Sequence, residues 1–130
     1  MGTAENVELV RRGYEAFNAG DMATLSELFA EDAVWHVAGN GVLSGTKQGR
    51  DAVLAYFGEL GGRTQGSFRA DVHDIVGGEN HTIAIHQTRG ESNGKSLDVA
   101  TVIAFVVRGG KIAEGREFSE DTAKVDDFWT

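Results

Sequence analysis

Between residues 81 and 119 the chain alternates β-branched or apolar residues with polar ones in three runs, parted by two Gly-bearing turns. Gaps this short join only antiparallel neighbours, so the stretch predicts a three-stranded meander. Asn93-Gly94 is a two-residue hairpin signal, since both residues tolerate the positive φ of a type I′ turn. Centring on it pairs Ser92 with Lys95, Thr88 with Val99 and His86 with Thr101. Arg108-Gly109-Gly110, read as a three-residue loop with Gly110 left-handed, pairs Val107 with Lys111 and Thr101 with Glu117. A two-residue loop there would turn Glu117 to the other face.

Upstream the period changes from two to 3.6. Val7, Val10, Tyr14 and Phe17 form one apolar stripe, predicting a helix over 4–19 that stops at Gly20. Asp21 caps a second short helix with Leu25, Leu28 and Phe29 inward. Residues 33–37 read as a short strand, and 38–49 as a Gly-rich loop without the Gly-Lys-Ser/Thr ending of a phosphate loop. A third helix spans 51–60, with Val53, Tyr56, Phe57 and Leu60 on one side and Gly61-Gly62 ending it. A strand over 68–76 turns at Gly77-Gly78 into the meander. The acidic tail ends in Phe128-Trp129, which should pack onto the body; Asp121 before it reads as a helix N-cap. Helices segregated from an antiparallel sheet mean α+β. Three helices lying across a curved sheet would make a cone with a pocket inside.

Alternation sorts the meander into two faces. One holds Thr82, Ala84, His86, Thr88, Val99, Thr101, Ile103, Phe105, Val107, Ala113, Gly115, Glu117 and Ser119: small residues around a few polar ones, as a cavity requires. The other holds Ile83, Ile85, Gln87, Arg89, Ala100, Val102, Ala104, Val106, Ile112, Glu114, Arg116 and Phe118. Its aliphatic centre predicts a homodimer through the outer sheet face.

Composition narrows the function classes. The 130 residues read as one domain (1–130) with a sizeable core. The formal charge is −8 and the twelve basic residues are scattered, which argues against nucleic acid or an anionic membrane as partner. Without cysteine there is no thiolate nucleophile or Cys-ligated metal. No apolar run has signal-peptide or membrane-spanning length, so a cytoplasmic location is expected.

The stretches YEAFNAGDMATLSELFAEDAVWHVAG, LSGTKQGRDAVLAYF and VVRGGKIAEGREFSED resemble the SnoaL-like branch of the nuclear transport factor 2-like (ketosteroid isomerase-like) superfamily. The resemblance covers nearly the whole chain and implies the cone-shaped α+β fold of that superfamily. It also implies a repertoire: isomerases, polyketide cyclases, dehydratases, epoxide hydrolases and non-catalytic binding domains, all needing no cofactor. Carried over residue by residue, the general-base Asp of ketosteroid isomerases falls at Val37 and their oxyanion-hole Asp at Ile103. Their first-helix Tyr falls at Gly13, one position before Tyr14 and about 100° of helix rotation away. The Arg-x-Asp of limonene-type epoxide hydrolases falls at His86-x-Thr88, and their second Asp approximately at Glu117. SnoaL-type cyclases pair an Asp and a His; a carboxylate and a His both occur here.

His86 and Glu117 are therefore the catalytic candidates, expected in one row across Thr101. With strands about 4.8 Å apart their backbones would lie roughly 10 Å apart, with room for a small ligand between the side chains. Such a pair could exchange a proton near neutral pH, or could simply satisfy each other by a hydrogen bond. Tyr14, Trp35, Val37, Tyr56, Thr88, Thr101, Ile103 and Phe105 would line the ligand site; the tyrosine hydroxyls need partners if buried. His81 and His86, five apart on a strand, face opposite sides, so no metal is expected. The expectation is a small-molecule pocket protein acting by acid–base chemistry on an apolar, oxygenated metabolite. The alternative is a non-catalytic ligand-binding or dimerisation module.

Overall fold

The computed structural model describes residues 2–130. Its elements run α1 (Thr3–Ala19), α2 (Met22–Leu28), β1 (Phe29–Val37), β2 (Gly45–Gln48), α3 (Arg50–Arg63), β3 (Arg69–Gly77), β4 (Thr82–Ser92), β5 (Lys95–Arg108), β6 (Lys111–Ser119) and α4 (Thr122–Phe128). The strands form one curved sheet in the order β2-β1-β6-β5-β4-β3. The β1–β6 pair is parallel and every other pair antiparallel. The architecture is α+β, with α1, α2 and α3 packed on the inner face.

Local chemistry sets the helix ends. Gly20 closes α1 in the left-handed conformation, at φ 69°, which glycine adopts without the backbone strain an L side chain would bring. Asp21 accepts from the Thr24 amide and caps α2, which typically stabilises by about 1 kcal/mol. Asp121 does the same for α4 through the Lys124 amide. That helix seats Phe128 and Trp129 in the core, with Trp129 stacked on Phe68.

Predicted boundaries shift in three places. Strand β1 starts at Phe29, which had been expected on the second helix, rather than at residue 33. The segment expected to be all loop contains β2, which pairs with β1 from Val34↔Gln48 to Val37↔Gly45 and so covers an otherwise open edge. Helix α3 runs through Gly61-Gly62 to Arg63. There the buried Thr64 hydroxyl donates back to the Leu60 carbonyl and ties down the last turn.

The first hairpin has the expected register, with Asn93 and Gly94 at φ 53° and 77°. The second does not. Gly109 and Gly110, both at positive φ, make a two-residue turn that pairs Arg108 with Lys111 and Val107 with Ile112. Ala113 is then an extra residue: Val106 pairs with Glu114, so β6 bulges at Ile112–Ala113. The bulge puts Ile112 and Ala113 both inside, where Ile112 had been expected outside. It also turns Glu117 back to the inner face, opposite Ile103 rather than Thr101.

The inner face carries the core. Phe29, Trp35 and Phe57 meet edge-on or tilted, with centroids 5.1–5.9 Å apart, the offset geometry that aromatic quadrupoles favour. On the outer face Ile83, Val102, Ala104 and Val106 are half-buried, and Ile85 and Phe118 are 39% and 50% exposed. No helix among the described residues is long and apolar enough to cross a membrane.

Candidate functional site

Helices α1 and α3, the strands β1, β4, β5 and β6, and the 38–44 loop with α4 enclose a cavity of ≈ 100 Å³. Tyr14, Trp35, Val37, Tyr56, His86, Thr88, Thr101, Ile103, Phe105 and Glu117 all line it. Its walls are otherwise mostly apolar, so its few polar groups set its chemistry. They fall into two sets.

The first set centres on Glu117, held by two rings. Trp35 Nε1–H donates to Glu117 Oε2 at 2.5 Å, and Tyr56 Oη–H donates to the same oxygen at 3.1 Å. Oε1 has no protein partner among the described residues. Burial raises the Glu117 pKa above the ordinary carboxylate value; the bonds from Trp35 and Tyr56 and the Lys47 charge act against it without cancelling it. Burial and the Glu117 charge together push the Tyr56 phenol well up, so it stays a donor.

Gly115 makes this arrangement possible. It lies directly across from Trp35 on the parallel β1–β6 pair. A Cβ there would overlap the indole ring, so only glycine lets Trp35 lie flat on the sheet and reach Glu117. Lys47 contributes from β2. Its ammonium sits 5.3 Å from the Tyr56 ring centroid and donates to the Leu43 and Ser44 carbonyls at 2.7 and 3.1 Å. Burial lowers its pKa, and the Glu117 charge opposes that shift.

The second set is a chain of four buried groups. Tyr14 Oη lies 2.7 Å from His86 Nδ1, His86 Nε2 lies 2.9 Å from Thr88 Oγ1, and Thr88 Oγ1 lies 2.8 Å from Thr101 Oγ1. Burial depresses the His86 pKa to about 4, outweighing the opposing charge of Asp71, so the imidazole is neutral at pH 7. Tyr14 is raised, by burial first and the Glu117 charge second.

His86 and Glu117 thus share the cavity but not a row. The bulge places Glu117 in line with Ala84, Ile103 and Val37, and places Ser119 in line with His86 and Thr101. No hydrogen bond joins His86 to Glu117 among the described residues; each has its own partners. The expected mutual pair is replaced by two separate centres.

Gly115, Lys47 and the latch of the 38–44 loop escaped sequence reasoning. Asp126 of α4 accepts from the Asn40 amide at 2.8 Å and lies 3.5 Å from the Ser44 hydroxyl. The closely spaced glycines of that loop were the available signal, since Gly39 sits at φ 98° and a side chain there would strike Asp126. For Gly115 the signal was a Trp facing a Gly, visible only once β1 and β6 are known to pair.

The sequence profile of the SnoaL-like domain matches residues 10–115. The uncharacterized protein Rv0034 of Mycobacterium tuberculosis is 34% identical over 125 residues, 95% of each chain. The structure of Bal32a, from a soil-derived mobile gene cassette, is 43% identical, covers 98% of both chains and superposes with a TM-score of 0.97. That of IdmH, a candidate polyketide cyclase of Streptomyces antibioticus, is 26% identical over 91% of this chain and 94% of its own, with a TM-score of 0.75. The fold is the nuclear transport factor 2-like one.

Proposed function

The chain belongs to the SnoaL-like domain family, and on that footing we propose that it is a cofactor-independent pocket enzyme in which Glu117 performs acid–base chemistry on an apolar, carbonyl-bearing metabolite. One observation carries the reading. Glu117 has one oxygen fixed by Trp35 and Tyr56 and the other without a protein partner, in a cavity whose walls are mostly apolar. A carboxylate so placed is basic enough to take a proton from carbon next to a carbonyl, and it is already oriented. The C–H electron pair moves onto the carbonyl oxygen to give an enolate. Attack of the enolate carbon on a second carbonyl of the same molecule closes a ring, and Glu117 returns its proton to the alkoxide so formed; return of the proton at another carbon instead gives an isomer. IdmH supports the cyclase branch.

A non-catalytic ligand-binding module is the second reading. It is favoured by Val37 and Ile103, apolar where the ketosteroid isomerases resembled by this chain carry carboxylates. Exchange of α-protons in heavy water, followed by NMR on the enolisable ketone β-tetralone, separates the two. Exchange above the buffer rate that disappears in Glu117→Gln supports the enzyme. Saturable binding of β-tetralone without accelerated exchange supports the binding module.

A further inference from the structure

The chain Tyr14–His86–Thr88–Thr101 has four polar members and one direction. Each hydroxyl has one proton, and the neutral imidazole has one N–H and one acceptor nitrogen. Four groups in line share three bonds, so one proton is left over, at whichever end the chain points. If Tyr14 donates to Nδ1, the Nε2–H donates to Thr88, Thr88 donates to Thr101, and the Thr101 hydroxyl proton is free. If the direction is reversed, the free proton belongs to Tyr14.

Pairwise strength decides between them. The phenol is the most acidic hydroxyl of the set and the imidazole nitrogen the best acceptor, and they sit at the shortest of the three separations, 2.7 Å. Reversal would spend the imidazole N–H on a phenol oxygen and leave the strongest donor of the chain unused in a buried, apolar setting. Beyond Thr88, the Thr101 hydroxyl has no hydrogen-bond partner among the described residues, and Thr101 lines the cavity.

We infer that the Thr101 hydroxyl is the oxyanion donor of the cavity, aimed by the neutral Nε2–H tautomer of His86 that Tyr14 holds in place. This rests on the reading of the cavity as an enolising site. Thr101 and Glu117 lie on neighbouring strands, offset by two residues, because Glu117 faces Ile103 and Thr101 faces Ser119. Diagonal neighbours of this kind stand about 7 Å apart. That span takes a carbonyl oxygen at Thr101 and the adjacent acidic C–H at Glu117. As Glu117 removes the proton, charge builds on the oxygen bonded to Thr101; Tyr14, His86 and Thr88 strengthen that bond by polarising it along the chain. The ligand class is an enolisable ketone or ester. His86 and Tyr14 are positioning residues, since neither need touch the ligand.

The tautomer can be read without any ligand, by long-range proton–nitrogen NMR on protein with nitrogen-labelled histidine at pH 7. His86 protonated on Nε2 alone is the expected result; protonation on Nδ1 alone, or on both nitrogens, overturns the proposal. With bound β-tetralone, the infrared carbonyl band should sit below its position in buffer. Thr101→Val should remove that shift and slow α-proton exchange about 100-fold, mainly in kcat, with Thr101→Ser restoring both. A shift that survives Thr101→Val and vanishes in Tyr14→Phe would reverse the chain and overturn the proposal. The two failures are distinguishable. An Nδ1–H His86 in a protein with Glu117-dependent exchange sinks the relay and leaves the enzyme standing; an Nε2–H His86 without exchange sinks the enzyme and with it the oxyanion role of Thr101, leaving only the direction of the chain.

Discussion

Acidification should destabilise this protein through His86. The imidazole is buried at 5% exposure and its folded pKa is about 4, against an ordinary value of 6.5, chiefly because burial penalises the charged ring. Asp71 on β3 pulls the other way, and His73 on the same strand adds to the depression. Below pH 6.5 the unfolded chain binds a proton at this residue that the folded chain takes up only near pH 4. The unfolded state therefore gains as pH falls through that window, and the stability is fully present only above it. The gap between 6.5 and about 4 corresponds to about 3 kcal/mol, a large share of the stability of a domain this size. Glu117 has the opposite slope: its raised pKa means that protonation on the acid side relieves a buried charge. Urea unfolding of the wild type and of His86→Gln, from pH 7.5 to pH 4, separates the two, because Gln cannot titrate. The wild type should lose about 3 kcal/mol more than the variant over the window, whatever the variant's stability at pH 7. Parallel pH profiles would show that His86 is not held neutral by the fold, and would remove the basis for a neutral relay.

Glu117→Gln keeps an acceptor for Trp35 and Tyr56 but no charge, so its melting temperature at pH 8 should exceed that of the wild type by about a few degrees, with the difference vanishing towards pH 4; a lower melting temperature at pH 8 would contradict the burial penalty. Gly115→Ala should displace the Trp35 ring and cost about 1–3 kcal/mol in urea unfolding, with loss of any Glu117-dependent activity; unchanged stability and tryptophan fluorescence would show that the ring does not depend on the glycine. The aliphatic centre of the outer face, rimmed by the paired Arg89, Asp71, Gln87 and Asp98, fits a second copy of the chain. Sedimentation at micromolar concentration should therefore give a dimer that Val102→Glu converts to monomer or aggregate, and a monomeric wild type would refute the interface.

The outcome at β6 separates what alternation dictates from what turn geometry dictates. Which face a residue occupies depends only on whether its pairing partner shifts by an odd or even count, and burial enforces that parity. Gly109-Gly110 made a tighter turn than the Arg108-Gly109-Gly110 reading, an odd shift that would have turned Glu117 outwards. Ile112 is too apolar to be left on the wet face, and the extra Ala113 restores parity by bringing both side chains inside. Nothing local in Lys-Ile-Ala-Glu-Gly marks that bulge; the demand comes from the partner strand and from the helix above, where the Ile112 side chain packs beside Gly13. Hence every cavity-lining residue read from alternation points into the cavity, while hydrogen-bond partners, which depend on register itself, do not follow. An even slip of two residues moves a side chain about 6.6–6.8 Å along its strand, farther than a hydrogen bond can span. That distance is what parts Glu117 from His86 and gives it to Trp35 and Tyr56. Those partners come from β1 and α3, elements legible in the sequence; but the parallel β1–β6 pairing that brings Trp35 to Gly115 has no turn to announce it.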